Sequence, residues 1–159
     1  PRFFYLMGKP SRDKGARGER AVVDLLERTT GTRWRRARGG DAQELGDVIP
    51  VDDPGLPWRT AFVEVKTGYK GMHVGHLLKP GKREIDWWAK ACEQAWAIHK
   101  EPVLFVNLPR WGTACVMDMG STIAEFDDGM GGRADWWAAS VGWGGEEVEV
   151  FDASALVPP

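Results

Sequence analysis

The chain has 159 residues, 43% of them apolar, which is enough for one domain with a real core and too few for several. No apolar run approaches the roughly 20 residues of a membrane span, and two widely spaced cysteines, Cys92 and Cys115, exclude a disulfide framework and any Cys-x-x-Cys motif. The formal net charge of −2 hides a segregation: residues 1–40 hold eleven Lys/Arg against four acids, and residues 113–159 hold nine acids against Arg133 alone.

A basic amino-terminal third is the electrostatic footprint of phosphate binding. The acidic end is expected to face away from nucleic acid, or to mask the basic surface until displaced. The cysteines read as reduced core residues of a cytoplasmic protein. Phe3 to Met7 is too short for a signal peptide and lacks its basic region. Met7-Gly8-Lys9 is the expected natural start, with Pro1 to Leu6 extraneous. Residues 1–12 read as a flexible arm.

The first helix is expected over about Arg17 to Thr30, with Val22, Val23, Leu25 and Leu26 as its apolar stripe and Gly31 as its stop. Glu19 lies one turn before that stripe, on the core-facing side, where a charge needs a partner. A basic strand over Thr32 to Arg38 follows. Four arginines in six residues repel one another there unless an anion is present. Gly39-Gly40-Asp41 reads as a loop.

Gly46-Asp47 then opens a short apolar run, Val48 to Val51. Asp52-Asp53-Pro54-Gly55 is a strong turn signal, and a second run, Ala61 to Lys66, returns. Folded as a hairpin, the two runs bring Asp47 close to Glu64. Side chains alternate along a strand, so Glu64 and Lys66 share one face and Val63 and Val65 the other. Two carboxylates and an ammonium converging at a strand end suit one Mg²⁺ ion, which prefers oxygen ligands and keeps several waters. They also suit attack of an activated water on a phosphodiester, with Lys66 holding the water or stabilising charge. The bland alternative is a Glu-x-Lys pair on the wet face of an amphipathic strand.

Residues 68–82 read as a lysine-bearing flap that includes Lys70. His73-x-x-His76 within it raises the alternative of a zinc site, though two histidines without further ligands are more often loop polar groups. A second helix is expected over Arg83 to His99, with Ile85, Trp88, Ala89, Cys92, Trp96 and His99 on its core face. Val103 to Leu108 and Thr113 to Asp118 read as strands joined by Pro109-Arg110-Trp111-Gly112. Ser121 can cap a short helix over Thr122 to Phe126. Beyond it, 127–132 reads as a loop, 135–139 as a helical turn and Glu147 to Phe151 as a strand with Val148 and Val150 on one face. Nine tryptophans are an excess; burial in the core is the commoner explanation, and residues such as Trp111, Trp136 and Trp137 offer material for a subunit interface.

Taken in order, the chain presents Lys14-Gly15-x-x-Gly18-Glu19-Arg20, an amphipathic helix, an arginine-rich strand ending in Gly39-Gly40, Gly46-Asp47, and Glu64-Val65-Lys66 followed by a helix. Over about residues 13–118 this resembles the PD-(D/E)XK nuclease superfamily, and within it the archaeal Hjc-type Holliday junction resolvases and their phage relatives. The resemblance implies an α/β fold, a restriction-endonuclease-like mixed central sheet flanked by helices. Residues 13–126 would be the nuclease domain and 127–159 a carboxy-terminal extension packed on it.

The family further implies a homodimer that nicks two strands of a four-way or otherwise branched DNA, in the host cytoplasm if the chain is phage-encoded. Carried over by motif, Glu19, Asp47, Glu64 and Lys66 would be catalytic. Asp47, Glu64 and the main-chain carbonyl of Val65 would hold Mg²⁺, with Mn²⁺ as a substitute. Lys14, Arg17, Arg35, Arg36, Arg38 and Lys70 would contact DNA. Gly46 stands where the motif has proline, and a serine often found in the glycine loop is missing. The alternatives are a general or restriction-type nuclease on the same fold and a non-catalytic nucleic-acid-binding protein.

Overall fold

The computed structural model describes residues 9–39, 45–125 and 138–158, without the side chains of 9–12, 124 and 125. The expected start at Met7, the Gly40-Asp41 part of the glycine loop, the loop 127–132 and positions 135–137 lie outside the described residues. Helix α1 spans Lys9–Thr30 and so begins well before Arg17. The apolar stripe could not show this, because Asp13, Lys14 and Arg17, which precede it, are exposed. Pro10 is tolerated in a first turn, where its missing N–H has no partner to lose. The stripe itself is as expected: Val22, Leu25 and Leu26 are buried. Gly31, at φ +69°, ends the helix with its N–H on the Glu27 carbonyl.

The basic strand is short. β1 (Trp34–Arg36) pairs antiparallel with β2 (Val48–Pro50), Arg36 opposite Val48. β2 pairs antiparallel with β3 (Ala61–Thr67) through Val48 and Val63, which is the expected hairpin. The flap after β3 contains a helical turn, α2 (Gly75–Leu78), and leads into α3 (Lys82–Ala97). The buried Glu84 carboxylate accepts the Gly81 N–H at 3.0 Å and starts α3. The chain then returns as β4 (Glu101–Leu108), parallel to β3, with Glu64 beside Leu104 and Lys66 beside Val106.

β5 (Gly112–Asp118) turns back antiparallel on β4, and a helical turn, α4 (Thr122–Glu125), follows. β6 (Ala138–Trp143) and β7 (Glu146–Asp152) complete a seven-stranded mixed sheet of order β1-β2-β3-β4-β5-β7-β6. Ala138 and Ala139, expected in a helical turn, instead open an edge strand, because backbone pairing with β7 supplies what their small side chains do not. The arginine-rich β1 and the acidic β7 therefore stand toward opposite ends of the sheet.

The two faces of the sheet carry two cores. Under α1, Val22, Leu25 and Leu26 pack with Val63, Val65, Val103, Phe105 and Met117. Under α3, Trp88 and Cys92 pack with Leu104, Val106, Val116, Trp143, Val148 and Val150. Cys92 and Cys115 are both buried thiols. The core face of α3 differs from the expected stripe. Glu84, Trp88, Ala91, Cys92 and Ala95 are buried, whereas Ala89 and His99 are exposed and Trp96 is 52% exposed. Trp96 instead lines an open groove with Glu101, Pro102 and Asp118 at the end of the sheet. Among the described residues no helix is long and apolar enough to cross a membrane.

Candidate active site

Asp47, Glu64 and Lys66 come together where β2 and β3 meet. The Asp47 N–H donates to the Val63 carbonyl at 2.8 Å, and its carboxylate accepts the Val65 N–H at 2.8 Å. This clamps the acid onto the strand that carries the second acid. Val63 and Val65 enter the core under α1, so Glu64 and Lys66 turn to the other face, beside Leu104 and Val106. Glu64 is only 5% exposed, and the Lys66 ammonium is hydrogen-bonded and ion-paired to it.

One ammonium faces two carboxylates. Burial first, and the charge of Glu64 second, push the Asp47 carboxyl up to about 6, against the Val65 N–H and Lys66. The charge of Glu19 adds to that upward push, so Glu19 lies within electrostatic reach of Asp47. Its hydrogen-bond partner, however, is elsewhere: Arg36 Nε donates to Glu19 Oε2 in a part-buried ion pair. The structure thus joins three of the four expected catalytic residues directly and holds the fourth to one side.

The amino-terminal half of α1 overhangs the ends of β3 and β4. Lys14 Nζ donates to the Gly68 carbonyl at 2.6 Å. Lys14 and Arg17 line an open groove of about 390 Å³ with Thr67, Asn107 and Pro109. A second groove, of about 600 Å³, lies between α1 and β1 and is lined by Arg20, Val23, Arg35, Arg36, Ala37 and Arg38. Lys70 is exposed on the turn after β3. The expected crowding of the arginine run is relieved in part within the chain. Arg33 is paired with Asp52 at 2.8 and 3.0 Å, and Arg36 with Glu19.

Among the described residues His73 and His76 have no third ligand beside them for zinc. Nδ1 of His73 accepts the Gly75 N–H at 3.1 Å and Nδ1 of His76 accepts the His73 N–H at 3.2 Å, so these nitrogens shape the turn. Among the described residues no three His, Cys, Asp or Glu side chains form a metal cage.

Three residues matter here beyond those expected to act. Gly46 has φ +93°, and a Cβ on it would stand 2.6 Å from the Val63 carbonyl oxygen. Proline cannot take that φ, so glycine at this motif position is required by the close approach of β3. Gly18 sits inside α1, where glycine costs about 1 kcal/mol. A Cβ there would lie 2.6 Å from both Thr67 Oγ1 and Asn107 Nδ2. Glycine in a helical pattern was the available signal of that contact. Asn107 Oδ1 accepts from Thr113, while its buried Nδ2 has no hydrogen-bond partner among the described residues.

The donor set fits a hard divalent cation. Asp47 and Glu64 supply carboxylate oxygens, the Val65 carbonyl is adjacent, and the negative pair lacks full compensation by Lys66. Three oxygen donors, short of an octahedral set, would leave water to complete the coordination, as Mg²⁺ prefers.

The profile of a family described as "Phage putative PDDEXK endonuclease" matches residues 10–138. Protein D14 of Escherichia phage T5 is 28% identical over 126 residues, covering 75% of this chain and 78% of that protein. No solved structure gives a significant match.

Proposed function

The chain belongs to the phage PDDEXK endonuclease family, and we propose that within it the protein is a Mg²⁺-dependent endodeoxyribonuclease selective for branched DNA, acting as a homodimer on four-way junctions. The observation that carries the catalytic reading is the convergence of Asp47, Glu64 and Lys66. A pure binder of nucleic acid gains nothing from two carboxylates beside phosphates.

When bound by Asp47, Glu64 and the Val65 carbonyl, a divalent ion supplies water activation and charge neutralisation at the phosphate. The chain's own groups do the rest. The Val65 N–H and the Val63 carbonyl hold Asp47 in place. Lys66, one strand residue beyond Val65, can orient the attacking water or donate to the charge that develops on the phosphate oxygens. The Arg20, Arg35, Arg36 and Arg38 groove abuts the strand that opens with Asp47, since the Ala37 N–H bonds the Asp47 carbonyl at 2.8 Å. Lys14 and Arg17 flank the other side. Duplex backbone running between them would pass over the acids, with the arginines neutralising phosphates.

A single site nicks one strand. Two nicks related by the two-fold axis of a junction call for two sites so related, as in a symmetric dimer. Cleavage of matched four-way, flap, linear duplex and single-stranded DNA in Mg²⁺, with light scattering on the same sample, tests the proposal. Paired cuts in opposing junction strands by a dimer are expected. Equal rates on linear duplex, or a monomer at micromolar concentration, would move the assignment to a general nuclease.

A further inference from the structure

We propose that Glu19 and the DNA backbone compete for the guanidinium of Arg36, so that a phosphate arriving in the arginine groove releases Glu19 toward Asp47. The inference rests on the nuclease reading above and adds a coupling between DNA contact and the site. Sequence reasoning gave the two residues separate roles, one with the acids and one with DNA. The structure joins them in one ion pair.

The geometry supports an exchange and not a fixed strut. Arg36 lines the groove with three further arginines and its side chain is 38% exposed, against 22% for Glu19. The guanidinium is therefore open to a ligand from the groove side while the carboxylate is more covered. A phosphodiester presents the same charge and the same acceptor geometry as a carboxylate, so one guanidinium fork serves either. Arg36 keeps an anionic partner throughout, so the exchange costs the fold only the part-buried pairing of Glu19. Glu19, once released, is already within electrostatic reach of Asp47. Arg36 is itself tied to that acid's strand, opposite Val48. By contrast Arg33, paired with Asp52, does not line the groove.

Arg36 is then a positioning residue for Glu19 as well as a phosphate contact. A double-mutant cycle on binding of a fluorescent four-way junction in EDTA, where no cleavage intervenes, tests this. Glu19→Gln should tighten binding by about fivefold, by removing the competitor. Arg36→Gln should weaken binding and lower the salt slope by about one unit. In the Arg36→Gln background, Glu19→Gln should change affinity by less than about twofold, while in an Arg38→Gln background it should keep its full gain. If Arg36→Gln fails to fold, Arg36→Lys replaces it, and the Glu19→Gln gain should shrink there. An equal gain in the presence and absence of Arg36 would show that Glu19 merely repels DNA, and would overturn the exchange. So would loss of affinity in Glu19→Gln together with a lowered Tm, the mark of a structural strut. Either result leaves the nuclease reading standing, whereas failure of the wild type to bind any DNA would remove both.

Discussion

Asp47→Asn should make the metal-free protein more stable at neutral pH while destroying its activity. Burial and the neighbouring Glu64 charge raise the Asp47 carboxyl from 3.8 to about 6. Each unit is about 1.4 kcal/mol, so keeping Asp47 ionised costs the fold about 3 kcal/mol at pH 8. Asparagine removes the charge and retains an oxygen to accept the Val65 N–H that now bonds Asp47. At about 2–4 °C per kcal/mol for a chain of this size, Tm should rise by about 6–12 °C. The raised value means that the folded state binds this proton more tightly than the unfolded chain. Wild-type stability from this group is thus complete below about pH 4 and is lost as pH rises through about 6. The gain of the variant should follow the inverse course, full at pH 8 and absent at pH 4. Thermal denaturation of both proteins in EDTA across that range measures it. Added Mg²⁺ should stabilise the wild type and not the variant. A variant no more stable at pH 8, or a gain independent of pH, would refute the claim that Asp47 is held against its own charge.

Lys66→Met should leave the buried Glu64 carboxylate without its ammonium, lowering stability in urea by about 2–4 kcal/mol and the nicking rate by orders of magnitude. A variant of unchanged stability would mean that the pair is not formed. Gly18→Ala should cost about 1–3 kcal/mol in the same assay, because its methyl would stand 2.6 Å from Thr67 Oγ1 and Asn107 Nδ2. Cys92, whose thiol burial and then the Glu146 charge push up to about 12, should resist thiol reagents at pH 8 until the protein unfolds. Labelling of the native protein at the rate of an open thiol would contradict its place on the buried face of α3.

Asp47, Glu64 and Lys66 were legible because everything that joins them is local. The turn signal at Asp52-Asp53-Pro54-Gly55, which opens a longer connection through Trp58–Thr60, and the two-residue alternation of β3 are enough to place two acids and a lysine. The sheet flanked by two helices was legible for the same reason, since β3, α3, β4 and β5 follow one another with strong patterns. The Glu19–Arg36 pair was not, because it spans 17 residues and forms only once β1 has packed on α1. Gly46 showed as a glycine, but its necessity lies in φ +93° and the approach of the Val63 carbonyl. Trp96 was misread because an apolar residue at helical spacing looks like core, while the sheet beneath decides how far the core extends. β6, with Ala138-Ala139-Ser140 at its start, carries no strand pattern of its own and is held by its pairing with β7.

The most direct test of the central claim compares the wild type with Glu64→Gln on one labelled four-way junction, in Mg²⁺ and in EDTA. Cleavage by the wild type in Mg²⁺ alone is predicted, with Glu64→Gln bound to the junction at near-wild-type affinity and inert. Cleavage by Glu64→Gln at the wild-type rate, or cleavage unaffected by EDTA, would contradict a metal-dependent site built on Asp47, Glu64 and Lys66.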